Sequence, residues 1–254
     1  MRVGLLHPGE MGAAIGAVLV ERGHEVLWVP RGRSEESAGR AVAAGLTPAD
    51  NLEDAGVILS VVPPHAALDV ARSAYGTPAL VIDANAVSPM TASRIGELLG
   101  DRWVDGGIVG PPPTRAGTTR LYLSGAHASE AARLFENTRL EPVVLTGSPV
   151  AASALKMAYA AWTKGSAALL LSALDSARAA GVEDALRAEW SRSQPKLEAR
   201  WQAASDSAAA KGWRWVGEMN EIAATYAAAG LPSGFHEAAA EMFDRAADPG
   251  RTGL

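Results

Sequence analysis

Cysteine is missing altogether from the 254 residues. That excludes disulfides, thiolate metal sites and cysteine nucleophiles. Basic charge is not in excess: 23 lysines and arginines stand against 28 acids, for a net charge of −5, and no basic run occurs, which argues against a nucleic-acid surface. The five histidines show no i, i+4 pairing on a helical segment, so no metal site of the zinc kind is expected. No apolar run reaches the ~18 residues of a membrane span. The start has no basic, long-apolar, small-residue leader and enters a strand at once (Arg2–Leu6), from which a cytoplasmic protein is expected. No repeat of fixed period is visible. A hydrophobic share of 48% against 20% charged suits a packed chain rather than a disordered one.

What is present begins with strand, turn, helix and strand. Arg2–Leu6 is followed by His7-Pro8-Gly9-Glu10-Met11-Gly12, an apolar-periodic helix to about Arg22, and a second strand over Glu25–Val29. This is the opening unit of a nucleotide-binding sheet. Such a turn lets backbone approach a pyrophosphate, and the helix N-terminus offers it free N–H groups. Gly9 and Gly12 match the second and third glycines of G-x-G-x-x-G, and His7 stands where the first would be. A glycine-rich corner with no ligand is the competing reading.

The second strand ends in Pro30-Arg31-Gly32-Arg33-Ser34. No acid stands at its tip to hold the ribose hydroxyls of NAD. Arg31, Arg33 and Ser34 suit the 2′-phosphate of NADP instead, so NADP(H) is expected over NAD(H); the alternative is an arginine-bearing surface loop.

Alternation continues, with helices over about 35–44, to about Tyr75, to about Leu99 and near 129–137. Strands are expected at 57–62, 79–83, from Trp103 to Asp105, at 120–124 and at 142–145. Gly106–Pro113 reads as irregular, too rich in Gly and Pro for a strand interior. Strands alternating with helices imply a mostly parallel sheet covered on both faces, with ligands beyond the carboxyl ends of its strands. His7–Gly12, Val62-Pro63, Ala84–Pro89 and Gly106–Pro113 fall there.

The stretch from Gly147 to Gly181 reads as one helix, with Ser148 as cap, Pro149 in the first turn and Gly181 as a left-handed stop. At 1.5 Å per residue it is roughly 48 Å long. Gly165–Leu174 carries no charge and is apolar in every direction, so the helix is expected to be buried all round and to join two bodies. Lys156 stands on it in apolar company, with Tyr159 and Ala160 on the same face. Beyond Gly181 no strand pattern recurs. Helices are expected near 183–192, 195–209, 213–229 and 234–247, with a frayed tail from Pro249. Glu218 and Glu221 share a helix face without a histidine and are poor metal candidates. The fold is therefore an α/β Rossmann domain, residues 1–147, followed by an all-α domain, residues 148–254, for substrate and dimerisation. A homodimer through the long helix and the C-terminal domain is expected, because four small helices cannot cover an all-round apolar rod.

Four stretches in order resemble the β-hydroxyacid dehydrogenase / 6-phosphogluconate dehydrogenase superfamily, in its branch with a short helical C-terminal domain. They are Gly4–Gly12, Asp83–Pro89 (like D-x-S/N-T-x-x-P), Asp105–Pro111 (like the substrate loop) and Gly147–Lys156 (like G-x-x-G-x-x-x-K). Glu218–Ala223 and Gly230-Leu231-Pro232 also fit that branch. The resemblance implies hydride transfer between a nicotinamide and a small hydroxy-acid or oxo compound. It places the catalytic lysine at Lys156, as general acid and base. It implies cofactor contacts at His7, Pro8, Gly9, Glu10, Met11, Arg31, Arg33, Ser34, Val61, Val62, Pro63 and Asn85. Substrate contacts are implied at Asn85, Val109, Gly110, Pro111, Lys156 and Tyr159. Three departures from the pattern stand out: His7 replaces a glycine, Val109 a substrate-binding serine, and Tyr159-Ala160 the asparagines after the lysine. An imine or iminium reductase on the same scaffold, or an NADP-binding sensor without turnover, are the alternatives. Apolar surroundings and a nicotinamide cation are expected to lower the lysine pKa toward neutrality.

Overall fold

The computed structural model describes residues 1–247; the tail expected to fray from Pro249 lies outside them. The chain forms two compact units, which divide between Lys156 and Met157. The division falls inside a helix, Ala151–Ala179.

The first unit is an eight-stranded sheet flanked by helices. Its elements are β1 (Arg2–Leu5), α1 (Glu10–Glu21), β2 (Glu25–Trp28), α2 (Glu35–Ala43), β3 (Thr47–Pro48), β4 (Val57–Ser60), α3 (Ala67–Ser73), β5 (Leu80–Asp83), α4 (Pro89–Leu99), β6 (Trp103–Val109), β7 (Thr119–Ser124), α5 (Ala128–Ala132) and β8 (Leu140–Val144). The strand order is β3-β2-β1-β4-β5-β6-β7-β8. All neighbours pair parallel except β6 and β7, which are antiparallel. The strands β4 and β5 are buried along their whole length, which is why they read as unbroken apolar runs. The core gathers around Leu5, Ile15, Leu59, Ile82, Leu121 and Phe135. Two expectations were too long: the helix near 129–137 is a single turn and a half closed by 3-10 structure at Arg133–Phe135, with Asn137 at φ 57° ending it, and β4 stops at Ser60. The two-residue β3 carried no readable pattern.

The expectation for Gly106–Pro113 is corrected. β6 runs through Gly106 and Gly107 to Val109, buried throughout. Its glycines mark close approach, not irregularity. A β-carbon on Gly106 would lie 3.0 Å from the Asp83 carbonyl oxygen, and one on Gly107 would lie 2.6 Å from that of Ala152. The chain reverses only at Gly110, whose φ of +121° suits glycine.

The helix α6 spans Ala151–Ala179, with Ser148 and Pro149 in the turn before it; Ser148 Oγ accepts from Val150 N–H. It ends as expected at Gly181, φ +71°, where the N–H of Val182 returns to the Ala177 carbonyl. The second unit holds the rest of α6 with α7 (Glu183–Ser193), α8 (Leu197–Ala228) and α9 (Gly234–Ala247). The two helices expected at 195–209 and 213–229 are one. No proline interrupts Leu197–Ala228, and Gly212 is there because α9 comes close: its β-carbon would stand 2.9 Å from the Phe243 carbonyl. Trp215 packs edge-on against Phe243 at 4.9 Å, and Glu218 pairs with Lys164. The expectation of all-round burial for α6 also fails: Trp162 and Leu169 are each 70% exposed, and Phe235 of α9 is 80% exposed beside them around an apolar cavity of about 610 Å³. No helix among the described residues is long and apolar enough to cross a membrane.

Candidate active site

The site is built at the carboxyl edge of the first unit's sheet, starting with the turn between β1 and α1. Gly9 is the N-cap of α1 and makes no side-chain cap hydrogen bond, so the backbone of this turn stands at the positive end of the helix dipole. Gly12 is required: a β-carbon there would fall 2.4 Å from the His7 carbonyl oxygen. His7, half-buried, sits within the turn. Burial lowers its pKa first, and the charges of Arg33 and Arg40 lower it further.

Of the residues after β2, Arg33 folds onto this turn. Its Nη2 donates to the Leu6 carbonyl at 2.8 Å, and its Nη1 lies 3.2 Å from His7 Nδ1. Ser34 caps α2, accepting from Ser37 N–H, and Arg31 is exposed. Arg40, not anticipated from sequence, adds a second guanidinium: Nε donates to the Pro8 carbonyl at 3.3 Å, while the other nitrogens meet Glu36 and Ser37. It stands on α2 six residues beyond the Ser34 cap. Glu10 is exposed, Met11 partly buried and Pro8 buried.

Across the edge, Val61, Val62 and Pro63 leave β4 partly exposed. Asn85 is buried and engaged by the fold: Oδ1 accepts from Val62 N–H at 2.6 Å and Nδ2 donates to Ser60 Oγ at 3.0 Å. It thus shapes the Val61–Pro63 corner. Val109 is buried; Gly110 and Pro111 are exposed, and the Pro111 carbonyl accepts from Thr119 Oγ1. Lys156, partly buried, lies over β6: a β-carbon on Gly107 would be 3.1 Å from its Cβ. Tyr159, three residues further along α6, belongs to the second unit and is 47% exposed. Among the described residues no group of His, Asp and Glu could hold a metal ion.

A row of buried polar side chains went unread in the sequence. Ser60, Asp83, Asp105 and Ser124 are register partners across β4, β5, β6 and β7, and so share one face of the sheet. Each closes or interrupts an apolar strand, which is the signal that could have found them. Asp83 accepts from Asn85 N–H through Oδ1, while its buried Oδ2 has no partner among the described residues. Burial, and then the neighbouring Asp105, push the Asp83 carboxyl up to about 7.

That value fixes a pH dependence. The folded pKa exceeds the unfolded one of about 3.9, so the contribution of Asp83 to stability is full below pH ~4 and is lost as pH rises through about 7. Asp83→Asn removes the loss and keeps an acceptor for Asn85. In denaturant unfolding its advantage over the parent protein should be near zero at pH 4 and grow to about 4 kcal/mol by pH 8. An advantage that is the same at both pH values would contradict the assignment.

The sheet order, the glycine turn and the helical second unit define a Rossmann-type α/β unit followed by an all-α one. Comparison with known proteins agrees. Residues 177–246 match a family model described as a domain of unknown function (DUF1932). The chain is 30% identical over 194 residues to an uncharacterized 28.5 kDa protein encoded in the 7S RNA 5′ region of Methanothermus fervidus, covering 73% of this chain and 74% of that one. It is 28% identical to a conserved protein of unknown function whose structure is described as similar to 3-hydroxyacid dehydrogenases (TM-score 0.70; 97% and 96% of the two chains). It is also 28% identical to a conserved hypothetical protein from Sinorhizobium meliloti 1021 (TM-score 0.69; 100% and 91%). The fold, though not close sequence, is shared with 3-hydroxyisobutyrate dehydrogenase of Salmonella typhimurium (16% identity, TM-score 0.66; 98% and 95%). It is shared too with a reductive aminase of Aspergillus terreus solved with NADPH and ethyl levulinate (16%, TM-score 0.60; 99% and 95%). The chain belongs to one family with the uncharacterized Methanothermus fervidus protein, and it shares the fold of the 3-hydroxyacid dehydrogenases.

Proposed function

We propose that the protein is an NADP-dependent oxidoreductase that transfers a hydride between a nicotinamide and a small hydroxy-acid or oxo compound, with Lys156 as general acid and base. One observation carries the reading. A single sheet edge bears a glycine turn leading into a helix N-terminus, a pair of arginines and, over its sixth strand, a lysine.

The residues fit a dinucleotide. The Gly9–Met11 amides suit a pyrophosphate, and the space that only a glycine leaves at position 12 lets the turn close over α1. Arg33 and Arg40 suit a 2′-phosphate, and no acid at the end of β2 takes the place an NAD site gives to one. Val61–Pro63, held by Asn85, offer an apolar wall. When bound, a nicotinamide supplies or accepts the hydride. The chain supplies the rest: Lys156 gives a proton to the oxygen of a reduced carbonyl, or takes it in the other direction. Its place on a rigid helix against β6 limits where the amine can reach. With Val109 and the Asn85 amide turned to the fold, the exposed backbone at Gly110–Pro111 is the remaining polar surface of that loop to hold the substrate.

Titration with both reduced nucleotides, followed by a panel of carbonyl and imine compounds monitored by NADPH absorbance, tests the reading. Tighter binding of NADPH and turnover of oxo-acids are expected. Turnover of imines alone would move the protein to the imine-reducing reading, and binding without oxidation across the panel would make it a sensor.

The assembly belongs to the same proposal. Trp162, Leu169 and Phe235 form an apolar surface of the second unit, whose burial against a second copy of the chain is the simplest way to remove it from water. A dimer is expected in sedimentation at micromolar concentration, and Leu169→Glu should make it monomeric. A parent protein that sediments as a monomer would contradict this.

A further inference from the structure

The buried polar row ends at the helix that carries Lys156. Asp105 Oδ2 accepts from Ser153 N–H at 2.8 Å, and Asp105 Oδ1 accepts from Ser153 Oγ at 2.5 Å. Ser124 Oγ accepts from Ala152 N–H at 2.9 Å and shares its own proton between Asp105 Oδ2, at 3.0 Å, and the Pro149 carbonyl, at 3.1 Å. A strand carboxylate thus takes up the open amides of the first turn of α6, where its charge also suits the helix dipole. Asp105 and Gly107 lie two residues apart on β6 and so face the same way. Gly107 lets the helix down onto the strand beneath Ala152 and Lys156, and Asp105 holds it there at Ser153. Ser153 and Lys156 are three residues apart, on one helical face.

The neighbouring acid has a different set of partners. Asp83 accepts one hydrogen bond and Asp105 accepts three, so the charge belongs on Asp105. Burial raises the Asp105 pKa, and the bonds from Ser153 and Ser124 pull it back.

We infer that Asp105 is a positioning residue for Lys156: acting through Ser153 and the first turn of α6, its carboxylate fixes where the lysine amine lies over β6. This rests on Lys156 being the proton carrier only for its consequence in turnover, not for the placement itself. The amine need not touch Asp105. What Asp105 determines is the register of one helical turn on one strand.

Trace acylation of the intact protein with acetic anhydride, read by mass spectrometry, reports the reactivity of each lysine without any substrate. In Asp105→Asn the first turn of α6 loosens and the partly buried Lys156 becomes more accessible, so its rate should rise at least about threefold, while Lys164, paired with Glu218 in the second unit, keeps its rate as internal control. Ser153→Ala, which loses one bond and keeps the backbone one, should give a smaller rise and serves if Asp105→Asn does not fold. In turnover, both variants should lose kcat, by about tenfold for Asp105→Asn, with KM for NADPH within about twofold. A Lys156 rate that is unchanged or lower in a folded variant overturns the inference, even if activity falls, because the loss would then be general damage. If Lys156→Met retains turnover while the acylation result holds, the proton-carrier reading fails and the positioning stands.

Discussion

Lys156→Met should lower turnover by about a thousandfold while the protein still binds NADPH with nearly its original affinity. The reason is chemical. Hydride arrival at a carbonyl leaves an oxygen that needs a proton at once, and methionine keeps the length and apolar stem of lysine without any proton to give. The substitution suits the site structurally, since the lysine stem packs over Gly107 in a partly buried place. The fold should therefore survive, and far-ultraviolet circular dichroism should not change. Rapid kinetics with the best compound of the panel would separate the outcomes: a fall in kcat with KM for NADPH unchanged marks a group that acts in the chemical step. Near-normal turnover would remove Lys156 from the mechanism.

The second large effect concerns nucleotide choice. Arg33→Ala should weaken NADPH binding by about thirtyfold and NADH binding by less than about threefold, as loss of a charge-assisted bond to a phosphate predicts. Arg33 also braces the turn, through the Leu6 carbonyl and His7, so a modest effect on both nucleotides is built into the expectation. Arg40→Ala is the companion variant. Its guanidinium is shared with Glu36, Ser37 and Pro8, so a smaller loss for NADPH is expected, again without an equal loss for NADH. Equal weakening of both nucleotides in both variants, measured by fluorescence titration, would show that the arginines hold the turn rather than a 2′-phosphate.

Much of the first unit was legible because its strands are local apolar runs with turn residues at their ends. Arg2–Leu5, Val57–Ser60 and Leu80–Asp83 announce themselves in this way, and Gly9 with Gly12 marks the corner between β1 and α1. What could not be read depends on contacts distant in sequence. Gly106 and Gly107 look like breakers until Asp83 and Ala152 are seen to press against them. Gly212 looks like a helix end until α9 is seen across it. The apolar face of α6 suggested burial on all sides, but periodicity says only that a surface prefers to leave water, not whether the same chain covers it. The site divides likewise. Arg33 and Lys156 stand in motifs, whereas Arg40 reaches Pro8 across 32 positions, and Asp105 reaches Ser153 across 48. Asn85 illustrates the converse: its motif position suggested a ligand contact, and the fold gives its amide to Val62 and Ser60.

A crystal structure of the protein grown with NADPH tests the central claim most directly. The account predicts the pyrophosphate on the amides of Gly9–Met11, the 2′-phosphate against Arg33, and the nicotinamide ring beside Gly107 with the Lys156 amine turned toward it. A nucleotide bound elsewhere, or a nicotinamide out of reach of Lys156, would contradict it.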